Sequence, residues 1–202
     1  YKEHRRYYLD IITRNLRERT PDTFARAHRF AQPESYPTRV DMNEFARAQD
    51  NDVLQTPGVS TCTGFIATFP GRFGYLAHIT PLDRVYGKDV SNLVGQVLRN
   101  VTTYDIYKYQ RRHMQFVIVA NHLESLPGIV NKLVDEGFFL NQIQVAYKPQ
   151  AKRASLRYAN SDSHLDITWT HEDTTTEVWN TSIPEPSLSI GTMVLEAIQL
   201  DS

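Results

Sequence analysis

Cysteine is nearly absent from this sequence: its 202 residues contain only one, Cys62. A single thiol excludes an internal disulfide, so cysteine usage does not indicate an oxidising compartment. No apolar run is long enough to span a bilayer, and we therefore expect no membrane partner. The formal net charge of −1 argues against a nucleic-acid partner, because proteins of that kind carry a strongly basic surface.

Basic residues are absent after Arg157, whereas residues 1–30 contain eight Lys or Arg. The simplest interpretation is a solvated basic segment that attracts an acidic C-terminal segment. Alternatively, the basic segment binds an acidic regulatory partner.

Hydrophobic spacing near the start predicts a helical N-terminal extension at residues 1–50, followed by a main domain at residues 51–202. The tetrapeptide FARA occurs twice in the extension, at 24–27 and at 45–48. We interpret both copies as amphipathic helical turns that present a phenylalanine to a core.

The main domain mixes strand and helix patterns. Pro57-Gly58 predicts a turn, and two apolar segments around Pro70-Gly71 predict a β-hairpin. The segments beyond the hairpin predict a helix at 91–109 with Ser91 as N-cap, a strand at 114–120 covered on both faces, a helix at 126–137, a strand at 139–147 and further strands. The predicted fold class is α/β: a layered sandwich with a mixed, largely antiparallel sheet covered by helices.

The loop of the hairpin decides whether Cys62 and His78 share a face of the sheet. A three-residue loop at 70–72 places Cys62 opposite Thr80 and diagonal to His78, with all three on one face. A two-residue loop places Cys62 and His78 on opposite faces. Proline fits poorly at the first position of the turns that two-residue hairpins prefer, so the three-residue loop is favoured.

A thiol beside an imidazole has a well-defined chemistry. His78 would take the proton from Cys62 and leave a thiolate, which is the nucleophile of cysteine hydrolases. The imidazole would then return the proton to a departing amine. The structural alternatives are a buried cysteine that only packs in the core and a histidine that binds a backbone carbonyl.

The residues around this pair resemble the chemoreceptor glutamine deamidase family, CheD, over residues 53–170. Thr56 stands six positions before Cys62, small residues lead into the cysteine, and a second strand ends in the Leu-Ala-His of residues 76–78. Bacterial toxins that deamidate glutamine are similar in this Cys–His core.

The resemblance implies a protein-glutamine deamidase, an amidohydrolase with a cysteine nucleophile. Cys62 would attack the side-chain amide of a glutamine in a protein substrate, His78 would act as base and then as acid toward ammonia, and Thr56 would hydrogen-bond the imidazole. Water would hydrolyse the thioester, so neither a metal nor a cofactor is required. The implied location is the cytoplasm, in chemotaxis, or a host cytosol for a delivered effector.

The sequence departs from the family in segments that select a substrate. Ile79-Thr80-Pro81 stands where the family has Leu-Pro, and residues 121–124 (NHLE) replace a glycine-rich segment. Chemoreceptor helices are therefore not implied as the substrate. Two alternatives stay open: another Cys–His amidohydrolase or transglutaminase, and a catalytically silent CheD-like binding module.

Several other side chains are weaker candidates. His122 follows a predicted strand and could line the same pocket or be solvated. His164 and Asp166 alternate along a strand, which is a weak metal-binding pattern, and we predict no metal there. Three tyrosines could present a helix face to a partner: Tyr104, Tyr107 and Tyr109.

Overall fold

The computed structural model describes residues 25–26, 36–81 and 92–183. The other parts of the predicted N-terminal extension lie outside these ranges, as do Ser91 and the C-terminal residues 184–202. The strands are β1 (Ala25–Arg26), β2 (Thr38–Arg39), β3 (Phe45–Gln49), β4 (Val53–Val59), β5 (Thr63–Phe69), β6 (Phe73–Ile79), β7 (Gln115–Ala120), β8 (Ile143–Tyr147), β9 (Arg153–Ala159), β10 (His164–Thr170) and β11 (Thr176–Ser182). The helices are α1 (Leu93–Asn100) and α2 (Leu126–Asp135), with a π-helical turn at Val101–Asp105 and 3₁₀ turns at Lys108–His113, Leu140–Gln142 and Asn160–Asp162.

Two sheets dominate the structure. One has six strands in the order β1-β11-β10-β9-β4-β2, and the other has five in the order β3-β6-β5-β7-β8. Each contains one parallel pair, β2 with β4 and β7 with β8, and all other pairs are antiparallel. The predicted α/β class is confirmed at the level of a mixed fold, but strands predominate and there are two sheets where one was predicted.

Apolar side chains fill the space between the two sheets. Leu76 and Val117 of the five-stranded sheet share one buried cluster with Leu156 and Trp169 of the six-stranded sheet. A second cluster lies on the other face of the five-stranded sheet and includes buried residues of α1 and α2. Strand β7 contributes to both clusters, which confirms the prediction that it is covered on both faces.

The described residues of both FARA segments, Ala25–Arg26 and 45–48, are extended, so the prediction of helical turns is wrong for them, and the rest of the first copy lies outside the described residues. In the first copy, Ala25–Arg26 forms β1 and pairs with β11. The second copy lies in β3, the edge strand of the five-stranded sheet, where Ala48 is buried and Arg47 is exposed. Four residues are too few to distinguish the strand period of 2 from the helix period of 3.6. The strand β3 therefore lies within the predicted extension but belongs to the sheet that carries His78.

Pro57-Gly58 does not reverse the chain, so the predicted turn is also wrong. These residues form a β-bulge within β4, where the pairing with β9 shifts register between Thr56 and Val59. Gly58 has φ +71°, a conformation that glycine adopts without strain. Strand β4 continues past the bulge and then leads into Cys62.

The helical predictions in the main domain hold, with shifted ends. Helix α1 begins after Asn92, whose side chain accepts a hydrogen bond from the Gly95 N–H (2.6 Å). The long helix predicted for 91–109 instead ends in the π-helical turn and a 3₁₀ turn. The predicted helix 126–137 corresponds to α2, and Gly137 follows it with φ +92°. Within the described ranges, no helix has both the length and the apolar character needed to cross a membrane.

Candidate active site

The β5–β6 hairpin has the predicted three-residue loop. Phe69 pairs with Phe73 across residues 70–72, and Gly64 pairs with His78 farther along the ladder. The pairing ends at Thr63 with Ile79, so the register extended by one residue would place Cys62 opposite Thr80, as predicted. Cys62 itself lies just before β5, and its position on the same face as His78 stays a prediction.

His78 is fixed by its main chain near the end of β6, an inner strand of the five-stranded sheet. Its N–H donates to the Glu44 carbonyl (3.0 Å), and its own carbonyl accepts from the Asn43 N–H (2.9 Å). Its side chain lies on the same face of β6 as Leu76, a member of the intersheet cluster. Only 2% of His78 is exposed. The imidazole is therefore directed into the space between the two sheets.

Thr56 approaches the imidazole from the opposite sheet. Its hydroxyl oxygen lies 2.7 Å from Nδ1 of His78, and its O–H donates to the Val40 carbonyl (2.6 Å). A hydroxyl has one proton to donate. Because that proton goes to Val40, Nδ1–H of His78 must donate to Thr56. The contact predicted between Thr56 and His78 is confirmed, and it selects the tautomer whose lone pair is on Nε2.

Burial keeps this imidazole neutral. Removal from water lowers the pKa of His78 below its ordinary value, and the negative charge of Asp41 opposes this shift to a smaller extent. Nε2 is buried and has no hydrogen-bond partner among the described residues. The site thus presents a neutral histidine with an unused acceptor.

Cys62 lies in the short connection between β4 and β5, where the chain passes from the six-stranded sheet to the five-stranded sheet. It is 5% exposed. Its carbonyl oxygen lies 3.2 Å from Nε2 of His122. The structure therefore joins Thr56 directly to His78. That the thiol of Cys62 lies next to the imidazole and exchanges a proton with it stays a prediction.

Sequence reasoning missed one contributor to this site, Val40, and the particular contact that a second one, His122, makes. Val40 acts only through its carbonyl, which any residue possesses, and the segment around it was predicted to be helical. His122 was identified as a candidate for the same pocket, but its contact with the Cys62 carbonyl depends on where β7 ends beside β5. Neither contact has a sequence signal of its own.

The remaining candidates lie elsewhere. His164 Nε2 lies 3.1 Å from Asp166 Oδ1, and this hydrogen bond is the main cause that raises the pKa of His164. The tyrosines do not share a regular helix face, because Tyr104 lies in the π-helical turn and Tyr109 in a 3₁₀ turn. They are nevertheless exposed, and the rings of Tyr107 and Tyr109 stack with centroids 5.7 Å apart.

No protein-family model matches this chain, and no curated protein matches it significantly. The resemblance to CheD therefore depends on the pattern of Thr56, Cys62 and His78 and on the segments around them.

Proposed function

We propose that this protein is a cysteine-dependent protein-glutamine deamidase. The observation that carries the proposal is the double hydrogen bond of the Thr56 hydroxyl, which donates to Val40 and accepts from His78. It leaves the Nε2 lone pair of a buried, neutral histidine available, and the hairpin register extended to Cys62 predicts that the thiol lies on the same face.

The proposed reaction begins with proton transfer from the Cys62 thiol to Nε2 of His78. The thiolate forms a bond to the side-chain amide carbon of a substrate glutamine, and backbone N–H groups near Cys62 stabilise the oxyanion. The C–N bond then breaks, and His78 returns the proton so that ammonia leaves. Catalytic hydrogen bonds are often long before substrate binds, which is compatible with the unused Nε2 acceptor in this structure.

The second half of the reaction uses water. His78 removes a proton from the water as its oxygen attacks the thioester carbon, and the same proton returns to the departing sulfur of Cys62. The product is glutamate in the substrate protein. The backbone pairing of His78 with residues 43 and 44 holds the imidazole in place for both halves.

Activity on a small glutamine substrate tests the proposal. We expect the protein to release ammonia from benzyloxycarbonyl-Gln-Gly and from unfolded casein, with Gln-to-Glu conversion in the casein peptides detected by mass spectrometry. Cys62→Ser keeps the size of the side chain and serves as the control, which should be inactive. Undiminished ammonia release by this variant would refute the assignment of the nucleophile. Incorporation of an added primary amine in place of water would identify a transglutaminase.

One observation favours the alternative of a catalytically silent binding module. Tyr104, Tyr107 and Tyr109 are 81%, 70% and 72% exposed, and aromatic side chains are enriched in protein interfaces. Alkylation of Cys62 with iodoacetamide near neutral pH distinguishes the two functions, because a thiol that only packs in a core should react slowly.

A further inference from the structure

We propose that His122 is a positioning residue for Cys62, holding the peptide that carries the sulfur through a hydrogen bond from Nε2–H to the Cys62 carbonyl oxygen. This inference rests on the proposed function, since it assigns a second histidine to the same site. The two atoms are 3.2 Å apart, and the contact is partly buried.

The ladder around His78 explains why the Cys62 carbonyl is directed toward His122. In antiparallel pairing, the N–H and C=O of one residue point to the same neighbouring strand. The N–H and C=O of His78 bond to residues 43 and 44, which lie on the side of β6 that faces away from β5. Gly64 lies opposite His78 and therefore directs its N–H and C=O toward β7. Cys62 is two residues earlier, so the same alternation directs its C=O toward the side of β7.

Strand β7 ends before it reaches Cys62. The last pair between β5 and β7 is Gly64 with Val119, so the register extended by two residues would place Cys62 opposite Asn121, beyond the end of β7. There the imidazole of His122 supplies a donor to the Cys62 carbonyl. A side chain thus continues the line of hydrogen bonds past the end of the strand.

The segment before Cys62 and the segment before His122 both bond to the carbonyl group of Lys152. Ser60 Oγ–H donates to the Lys152 carbonyl (2.9 Å), and so does the side-chain amide of Asn121 (3.1 Å). The segment that precedes Cys62 and the segment that carries His122 are consequently held at a fixed separation. In this frame, the bond from His122 determines the orientation of the peptide between Cys62 and Thr63.

The test uses two amide variants of the protein, compared by the pH profile of Cys62 alkylation with iodoacetamide. In His122→Gln the amide nitrogen replaces Nε2, whereas in His122→Asn it replaces Nδ1 and does not reach the Cys62 carbonyl. We expect the Asn variant to hold the thiol less well aligned with Nε2 of His78, so that its alkylation profile moves to higher pH. At pH values below the midpoint of the profile, its rate should fall about tenfold for every pH unit by which the profile moves. The Gln variant should keep a profile close to that of the unsubstituted protein, and His171→Ala, a distant histidine substitution, should change nothing.

The outcomes separate this inference from the proposed function. Rapid alkylation that slows in His78→Ala supports the Cys62–His78 pair, and a profile at higher pH in His122→Asn but not in His122→Gln supports the positioning role. If the pair behaves as expected and His122→Asn matches the unsubstituted protein, the positioning role is wrong and the proposed function stands. If Cys62 reacts as slowly in the unsubstituted protein as in His78→Ala, both are overturned. Thermal unfolding of each variant confirms that the compared proteins are folded.

Discussion

At the scale of single residues, the site depends on the one proton of a threonine hydroxyl. Thr56 donates it to Val40 and must therefore accept from His78, which determines where the imidazole keeps its lone pair. The same contact joins the two sheets, since Thr56 lies in β4 and His78 in β6. The hydrogen bond between Thr56 and His78 therefore both joins the two sheets and leaves Nε2 of His78 able to accept a proton.

Thr56→Val should remove the two hydrogen bonds of the Thr56 hydroxyl and leave the size of the side chain nearly unchanged, because valine has nearly the shape of threonine. The change leaves the Val40 carbonyl and His78 Nδ1–H buried without their partner, and we expect a loss of about 2 kcal/mol in the free energy of unfolding. Alkylation of Cys62 should also slow. Thr56→Ser keeps the oxygen and is the control. Equal urea midpoints for the Val and Ser variants would contradict this prediction.

The lowered pKa of His78 predicts the pH dependence of stability. The folded state binds fewer protons at this site than the unfolded chain, whose histidine titrates near 6.5. The stability contribution is therefore fully present above pH 6.5 and is lost as pH falls toward the pKa of the folded state. Titration of the His78 ring by NMR should give a midpoint below 6.5, and His78→Gln should remove this part of the pH dependence. A midpoint above 6.5 would contradict the assignment of burial as the dominant cause.

The sequence predicted part of this site because its key residues are polar side chains in or beside apolar strands. The three-residue loop followed from the poor fit of proline in a two-residue turn, and the contact of Thr56 with His78 followed from the resemblance to CheD. Val40 could not be predicted, because a backbone carbonyl leaves no trace in residue type. The contact of His122 could not be predicted either, since it requires knowing where β7 ends beside β5.

At the scale of elements, the bulge in β4 determines how the chain reaches Cys62. One extra residue between Thr56 and Val59 changes which side chains of β4 face the other sheet. Thr56 and Val59 are both buried even though they are three positions apart, which a regular strand would not allow on one face. The bulge therefore lets Thr56 point toward His78 while the strand still packs beyond it.

Gly58→Ala tests the role of the bulge conformation. A Cβ at Gly58 would meet no atom within 4 Å, so the only penalty is the backbone φ of +71°. We expect a loss of about 1 kcal/mol in the free energy of unfolding, measured by urea denaturation. Gly58→Asn should cost less, because asparagine tolerates the left-handed region better than alanine does. Equal losses in the two variants would show that the bulge relaxes to another conformation.

The elements that sequence reasoning misassigned were short. Helices α1 and α2 repeat their apolar spacing over two or more turns, and the alternation and apolar runs of the strands were also recognisable. FARA spans only four residues, and its second copy is a strand because the edge of β6 provides a partner. Pro57-Gly58 is typical of a turn, but β4 pairs with β9 both before and after these residues, so they form a bulge in the strand. In both cases pairing with a distant strand overrides the local preference.

At the scale of the whole molecule, the site lies at the junction of two sheets, so its geometry depends on how they pack. Small residues let the sheets approach closely: a Cβ at Gly74 of β6 would lie 2.5 Å from the Oη of Tyr158 in β9. The Tyr158 ring is fully buried, and its hydroxyl bonds to Thr68 (2.8 Å) and Asn160 (3.0 Å). The ring therefore has little freedom to move away.

Gly74→Ala should push the sheets apart at this point. We expect a loss of about 1–3 kcal/mol in the free energy of unfolding, because the added methyl group overpacks a rigid contact. In a Tyr158→Leu background the methyl group has room, so the same substitution should cost much less. A double-mutant cycle measured by urea denaturation would then give a coupling of about 1 kcal/mol or more between the two positions. Additive losses would mean that the sheets tolerate separation here, and that Thr56 and His78 do not depend on this contact for their approach.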